Sequence, residues 1–242
     1  RPEEQPRTAA IMRWIGPDGL ETMIDAISAS EAMAPKQFLH DALAAEPAAF
    51  PLLVPLLASP RPHVVRHGAE LLGRLGDSRA VAVLAPLVDH PAERVRAAAV
   101  VALAVFDEPA ADDLLRRALA HVSPSTRIAV ARAAADRDRQ SLLPALLDAF
   151  DAEPESGVRR ELAGAVARLG AMGDLVAIAL DRRSIFRWRG RRVEERLDAV
   201  AGLAAADTAE SRRLLDRLVR EGDGPVRDAA DRALSVRRLA GS

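Results

Sequence analysis

The chain has 242 residues, 49% of them hydrophobic and 29% charged, which is the composition of a folded globular protein. Its 34 basic and 35 acidic residues give a formal net charge of −1, which excludes a general attraction of the whole molecule to nucleic acid or anionic lipid. It contains no cysteine, which excludes disulfides, thiolate nucleophiles and cysteine-ligated metals.

Location and source are also constrained by the sequence. There is neither an apolar run of about 18 residues, as a membrane-spanning helix requires, nor a secretory signal, so we expect a soluble protein. The lack of cysteine favours a reducing, cytoplasmic compartment. Lys36 is the one lysine, and the abundance of arginine and alanine indicates a bacterial protein from a GC-rich genome.

The first 47 residues predict a divergent helical repeat. The segments Leu20 to Ser30 and Pro35 to Ala45 read as a helix pair, and Ile11 to Asp18 reads as the end of a second helix that has no first helix before it. A helical repeat cannot bury its apolar face alone. We therefore expect that residues 1–47 begin in mid-repeat and that the array is one continuous domain of a larger protein.

Residues 48–242 contain a repeated unit. The segment Val95 to Ala104 aligns with Thr126 to Ala135 and with Val158 to Ala167. The arginine at the second position of this motif recurs at steps of 30, 31, 32, 37 and 31 residues, the length of two short helices with their turns. The predicted repeats span residues 48–77, 78–107, 108–137, 138–170, 171–206 and 207–242.

Each unit predicts two helices with a breaker between them. The first helix is apolar, as in Ala80 to Val88, and the second carries a stripe of alanine and small aliphatic residues that lets neighbouring helices approach closely. Leu75-Gly76 and Leu169-Gly170 predict second-helix ends with glycine in a left-handed cap. Proline is expected in the first turn of the second helix, with a preceding serine as cap, at Ser59-Pro60, His90-Pro91, Ser123-Pro124, Glu153-Pro154 and Gly224-Pro225.

The unit Val-Arg-x-x-Ala-Ala-x-Ala-Leu-Gly-x-Leu-Gly-Asp, matched in part by Val95 to Asp107 and by Val158 to Gly170, resembles the HEAT-like repeats, in particular the bacterial PBS-lyase HEAT-like repeats. The resemblance covers residues 48 to 239 well and the N-terminal 47 residues loosely. It implies an all-α fold, a right-handed α-solenoid of about seven antiparallel helix pairs of the HEAT or ARM type. Such arrays bind partners over an extended inner surface lined by the second helices.

The repeated arginines have two interpretations, a structural one and a functional one. As a basic stripe on the inner face they would bind a partner, whereas in the HEAT-like family such arginines commonly tie one repeat to the next through turn carboxylates and carbonyls. Asp89 and Asp151 stand where such carboxylates are expected. We favour the structural interpretation for this arginine ladder, which comprises Arg66, Arg96, Arg127, Arg159, Arg196 and Arg227.

The long step of 37 residues coincides with a basic loop between the two helices of the fifth repeat. Residues 182–192 contain six arginines, two aromatic residues and no acid. Arginine with exposed aromatics is typical of binding surfaces, but the aromatics could equally pack onto neighbouring helix ends, with Glu194 and Glu195 neutralising part of the charge. The partner-binding candidates are Arg182, Arg183, Phe186, Arg187, Trp188, Arg189, Arg191 and Arg192.

No catalytic motif is recognisable in the sequence, so we expect neither an enzyme nor a bound cofactor. His63, His67 and Glu70 share one face of a predicted helix and are a weak candidate for a metal site, because Arg66 lies beside them and no fourth ligand is recognisable. The deoxyhypusine hydroxylases, which resemble this scaffold, use His-Glu dipeptides as metal ligands, and this chain has no such pair.

The predicted function is a non-catalytic scaffold that binds a protein partner or another domain of the same polypeptide. Two alternatives remain. The first is a nucleic-acid-binding array that contacts nucleic acid through the basic loop at residues 182–192, although the second helices carry almost no aromatic residues for such contacts. The family resemblance also suggests a bilin-lyase-like factor that attaches chromophores, but it rests on the repeat and not on any catalytic residue.

Overall fold

A computed structural model of the chain describes residues 16, 18–22, 24, 49–181 and 192–240, with side chains up to residue 236. Regular structure in these residues is helical, with no strand among them. The chain divides into two compact units, Arg1–Ala118 and Leu119–Ser242. The predicted all-α repeat fold is therefore confirmed. In the described part of the chain no helix combines the length and the apolar character needed to cross a membrane.

The first unit contains short first helices and longer second helices. Helix α2 packs against α4, and α3 packs against both of them. The helices of this unit from residue 49 onward are α1 (Phe50–Leu53), α2 (Pro62–Leu75), α3 (Ala80–Leu84), α4 (Glu93–Leu103) and α5 (Pro109–Leu119), the last residue of α5 falling in the second unit.

Proline shortens α1 and α3, the first helices of two successive repeats. The predicted continuous helix from Ala80 to Val88 is α-helical only as far as Leu84 and continues as the 3₁₀ segment Ala85–Asp89. Helix α1 is likewise followed by the 3₁₀ segment Val54–Ala58. Pro86 and Pro55 stand at the start of these segments, and proline lacks the N–H that an α-helix would use there.

The second unit is built in two layers. Helix α8 packs against α6 and α10, and α10 packs against α12, so the second helices form one layer. Helices α7, α9 and α11 pack on that layer, with α9 also contacting α11. The helices are α6 (Pro124–Asp136), α7 (Leu143–Ala152), α8 (Ser156–Arg168), α9 (Met172–Leu180), α10 (Val193–Ala206), α11 (Ala209–Glu221) and α12 (Gly224–Ala240).

The prediction that a proline lies in the first turn of each second helix is only partly correct. Pro124 and Pro225 lie in the first turn of α6 and α12, but α4 begins two residues after Pro91 and α8 two residues after Pro154. Helix α2 starts at Pro62 rather than at Pro60. The residues between these prolines and the helices that follow belong to tight loops. Ser123 is the N-cap residue of α6, yet its side chain makes no capping hydrogen bond and instead contacts the Ser125 hydroxyl at 2.9 Å.

The predicted left-handed glycine caps are confirmed. Gly76 has φ = 69° and Gly170 has φ = 85°, a region that residues with a Cβ rarely adopt. The Gly76 N–H donates to the carbonyl of Leu72, which satisfies one of the last acceptors of α2.

Small residues set the distance between second helices, as the sequence predicts. A Cβ added at Gly73 of α2 would lie 2.8 Å from both Cα and Cβ of Ala102 in α4. In the second unit, a Cβ added at Gly202 of α10 would lie 2.3 Å from the Cβ of Ala163 in α8. The helix backbones are thus nearly in contact at both crossings, and neither has room for a methyl group.

Part of the predicted N-terminal pair lies outside the described residues. Residues 20–22 and 24 of the predicted helix Leu20 to Ser30 are helical, and Leu20 and Ile24 are buried. The predicted segments Ile11 to Asp18 and Pro35 to Ala45 fall wholly or mostly outside the described residues.

Candidate functional site

Ladder arginines hold the loop that precedes their own helix. Nη1 of Arg127 donates to the carbonyls of His121 and Val122 at 2.9 and 3.2 Å, and Nη1 of Arg159 donates to those of Glu153 and Pro154 at 2.8 and 2.9 Å. In the first unit, Arg96 makes the same pair of bonds to the loop before α4. Each guanidinium therefore closes the loop onto the first turns of the second helix.

The first residue of each loop also accepts a hydrogen bond through its side chain. His90 Nδ1 accepts from the N–H of Ala92, and His121 Nδ1 accepts from the N–H of Ser123, both at 3.0 Å. In the next repeat a Glu153 carboxylate oxygen takes this position and accepts from Glu155 at 3.0 Å. A turn of this kind, in which a side chain accepts from the backbone N–H two residues further on, delays the start of α4 and α8 beyond their prolines. Helix α6 is the exception, because it starts at Pro124 itself.

Arginines of the second unit also reach a carboxylate of the following repeat. Nε and Nη2 of Arg127 donate to Glu153 at 2.6 and 2.8 Å, and Nη1 of Arg196 donates to Asp223 at 2.8 Å. The hydrogen bond from Arg127 to Glu153 raises the pKa of Arg127. The carboxylate that Arg127 contacts is the buried Glu153, two residues beyond the predicted Asp151. The other predicted carboxylate, Asp89, accepts from Arg117 at 3.2 Å.

The other three members of the ladder, Arg66, Arg196 and Arg227, make different contacts. Arg66 donates to Glu70 at 2.5 Å within its own helix. Arg227 donates to the carbonyls of Val219 and Gly222, both at 3.1 Å. Arg196 Nε donates to the carbonyl of Ala179 at 2.9 Å rather than to its own preceding loop.

The three residues of the candidate metal site interact with other side chains. Nη2 of Arg66 lies 2.9 Å from His67 Nε2, and His67 Nδ1 lies 3.2 Å from a Glu70 oxygen. Burial works against ionisation of Glu70, but the hydrogen bond from His67 and the charge of Arg66 outweigh it and lower its pKa. His63 acts on Glu21 instead, whose pKa is lowered by hydrogen bonds from Ser59 and Arg61 and by the charge of His63. Among the described residues no group of three has the arrangement of a metal site.

The basic loop lies almost entirely outside the described residues. Of its candidate residues only Arg192 is described, and it is the N-cap residue of α10. Its backbone N–H donates to the Glu195 carboxylate at 3.3 Å, so Glu195 is used locally. The remaining candidates fall at residues 182–191, outside the described part of the chain, and their role stays a prediction.

The second-helix layer of the second unit carries a groove of about 490 Å³. Its floor consists of small residues, and its walls carry three arginines and two acids. The lining residues are Arg132, Asp136, Arg160, Glu161, Gly164, Arg168, Ala201 and Ala205, contributed by α6, α8 and α10. We call this surface the second-helix groove.

Two ion pairs bridge α6 and α8 along this groove. Nε and Nη2 of Arg132 donate to the two oxygens of Glu161 at 3.0 and 2.6 Å, a bidentate pairing. Nη1 of Arg168 donates to Asp136 at 3.1 Å. The hydrogen bond from Arg132 lowers the pKa of Glu161, and the same bond raises that of Arg132.

Asp198 joins α8 to α10 at the edge of the groove. Its side chain is 1% exposed and accepts from three donors of α8. One oxygen accepts from Arg159 Nε at 2.8 Å, and the other accepts from Arg160 Nε at 2.9 Å and Ser156 Oγ at 2.8 Å. A buried carboxylate is stabilised only by such complete pairing. Asp198 is therefore the central polar contact between these two helices.

Comparison with known proteins decides the family. The sequence model described as HEAT repeats matches residues 20–104 and 87–167, which together cover more than half of the chain. The chain belongs to the HEAT-repeat family. Among curated proteins, no sequence matches it.

Solved structures resemble this HEAT-repeat chain at low identity. The complex of CpcE and CpcF of phycocyanin lyase from Nostoc sp. PCC7120 is 20% identical with a TM-score of 0.44, over 90% of this chain and 92% of that chain. Human deoxyhypusine hydroxylase in complex with glycerol is 16% identical with a TM-score of 0.35, over 89% and 96%. An engineered protein is 20% identical with a TM-score of 0.37, over 76% and 94%. Similarity at this level does not indicate what the chain binds.

Sequence reasoning missed the second-helix groove and Asp198. A signal for the groove is present: Arg132 and Glu161 are 29 residues apart, and Asp136 and Arg168 are 32 apart, about one HEAT repeat. Because successive repeats stack side by side, opposite charges at this spacing on second helices can pair across adjacent repeats, as these two pairs do. Asp198 has no such signal, because an aspartate two residues after a ladder arginine looks like a surface residue.

Acid is expected to weaken the HEAT-repeat fold through its paired carboxylates. The pKa of Glu161 is lowered from its usual value of 4.5, so the stability from its pairing is present above that pH and is lost as pH falls through the lowered pKa. In urea unfolding followed by circular dichroism, Glu161→Gln should be the less stable protein at about pH 7, and the difference should shrink towards about pH 3. A difference that stays constant between those pH values would contradict this assignment.

Proposed function

We propose that this HEAT-repeat chain is a non-catalytic scaffold that binds a protein partner, or another domain of the same polypeptide, in the second-helix groove. The observation that carries the proposal is the groove itself, a concavity of about 490 Å³ with exposed charged walls and a floor of glycine and alanine.

The chemistry of the groove suits recognition of a polypeptide. Gly164, Ala201 and Ala205 project at most a methyl group, so an incoming segment can approach the backbones of α8 and α10 closely. Arg160 and Arg132 are 62% and 59% exposed, and arginine is enriched at protein interfaces. The ion pairs between repeats hold these side chains in place before a partner arrives, which lowers the entropy cost of binding.

Site-specific crosslinking tests the proposal, and the absence of cysteine from the chain makes it simple. An Ala205→Cys variant, labelled with a benzophenone maleimide, places the photoreactive group at the groove floor. The matched control is Arg213→Cys, at an exposed position of α11. We expect Ala205→Cys to crosslink a discrete protein from the source cells, or a further domain of the full-length chain, and Arg213→Cys not to do so.

A second pair of variants tests whether the crosslink depends on groove chemistry. Arg160→Ala removes an exposed guanidinium but leaves Asp198 paired with Arg159 and Ser156, so the fold should persist. We expect the crosslink from Ala205→Cys to weaken with Arg160→Ala and to be unchanged with Arg220→Ala on α11. The same products from both labelled positions, or from neither, would overturn the proposed function.

The two alternative functions stay predictions. A nucleic-acid-binding role depends on residues 182–191, which lie outside the described part of the chain. A role in chromophore attachment rests on the family resemblance alone.

A further inference from the structure

The second-helix groove carries one positive charge more than its internal pairs balance. Arg132 is paired with Glu161, and Arg168 with Asp136. At its edge, however, the single negative charge of Asp198 is shared between Arg159 and Arg160. Two guanidinium groups and one carboxylate leave a surplus of one positive charge.

This surplus lies at the exposed end of Arg160. Arg159 is 5% exposed and uses Nε for Asp198 and Nη1 for the loop carbonyls, so it belongs to the interior. Arg160 is 62% exposed and contacts Asp198 through Nε alone. Among the described residues its Nη1 and Nη2 groups have no acceptor. These two NH₂ groups form the fork of the guanidinium. The hydrogen bond from Arg160 Nε to Asp198 holds this fork at the edge of the groove.

We propose that Arg160 binds a carboxylate of the partner, an Asp or Glu side chain on a segment that lies in the second-helix groove. This inference rests on the proposed function and names the partner's chemistry. The guanidinium fork pairs with a carboxylate through two parallel hydrogen bonds, and each is stronger than a neutral one. The small floor residues Ala201 and Ala205 let the partner backbone approach within reach of Arg160.

The groove favours a polypeptide over a nucleic acid. Asp136 is 64% exposed and Glu161 is 35% exposed, and both line the groove. A nucleic-acid backbone carries a negative charge at every phosphate, so along the groove these two carboxylates would repel it. Only the one surplus positive charge of Arg160 would attract it. A protein segment with an isolated carboxylate meets Arg160 alone, and its neighbouring residues can be neutral or basic opposite Asp136.

The test is a titration with matched helical peptides, read by NMR of the Ala201 and Ala205 methyl groups. One capped alanine-based peptide carries a single glutamate, and its control carries glutamine at that position. We expect the glutamate peptide to shift the two methyl resonances at millimolar concentration and to bind about fivefold more tightly than the glutamine peptide. Arg160→Gln should remove that preference, and Arg213→Gln should keep it.

Each other outcome overturns a stated part of the inference. Equal binding of both peptides to the groove would overturn the carboxylate preference while the groove remained a docking surface. No shift with either peptide would overturn the assignment of an acidic segment. Tighter binding of a thymidine oligonucleotide at the same methyl groups would overturn the choice of a protein. The crosslinking experiment fails or succeeds separately, so failure of the proposed function is distinguished from failure of this inference.

Discussion

Replacing Asp198 by alanine is expected to lower the free energy of unfolding by about 3–5 kcal/mol. The carboxylate is buried between α8 and α10 and accepts hydrogen bonds from Arg159, Arg160 and Ser156. Its removal leaves the charge of Arg159, whose side chain is only 5% exposed, without a counter-ion. A loss of this size is a large part of the stability of an ordinary domain, about 5–15 kcal/mol.

Urea denaturation followed by circular dichroism measures this loss, and the chain offers a matched control. Asp136 also pairs with an arginine of α8, but its side chain is 64% exposed, so Asp136→Ala should cost less than about 1 kcal/mol. Asp198→Asn keeps the shape and one acceptor and should fall between the two. If Asp198→Ala were no more destabilising than Asp136→Ala, the buried pairing would not be the main polar contact between these helices.

Adding one methyl group at Gly202 is the second change with a large expected effect. The new Cβ would lie 2.3 Å from the Cβ of Ala163 and 2.7 Å from its carbonyl carbon, and the backbone atom cannot move without displacing α8. Overpacking of this kind costs about 1–3 kcal/mol. The better helix propensity of alanine offsets at most about 1 kcal/mol of that cost, so Gly202→Ala should be destabilising overall.

Gly164 on the facing helix provides the control for this prediction. A Cβ added there meets only the Cβ of Ala205, at 3.9 Å, which is ordinary van der Waals contact. Gly164→Ala should therefore leave thermal stability unchanged or raise it slightly, by the helix propensity difference of about 0.5–1 kcal/mol. Equal effects of Gly164→Ala and Gly202→Ala on the melting temperature would contradict the close approach of Gly202 to Ala163.

These two sites connect the fold to the proposed binding surface. Asp198 pairs with the buried Arg159 and neutralises its charge. The same carboxylate also holds Arg160 at the edge of the groove. Gly202 lets α10 lie close to α8, next to the groove residue Ala201. Because stability and the position of Arg160 depend on the same carboxylate, binding studies should vary Arg160 rather than Asp198.

Much of the fold could be predicted from the period of the sequence alone. Helical spacing of apolar residues, the recurring Val-Arg motif and the Leu-Gly helix ends are local features, and they indicated the all-α repeat class and the caps at Gly76 and Gly170. Of the six arginines that they marked, Arg96, Arg127 and Arg159 each donate to two carbonyls of the preceding loop. These features are readable because propensity and hydrophobic periodicity act within one repeat.

What the sequence could not determine is which side chains meet between repeats. The pairing of Arg127 with Glu153 depends on the loop before α8, in which the Glu153 side chain also accepts a hydrogen bond from the backbone N–H of Glu155. The three donors of Asp198 and the surplus charge of Arg160 depend on how α8 lies against α10, which Gly202 and Ala163 set by their close approach. Local pattern determined the helices, whereas packing between neighbouring helices, a property of the tertiary structure, decided the ion pairs and the groove.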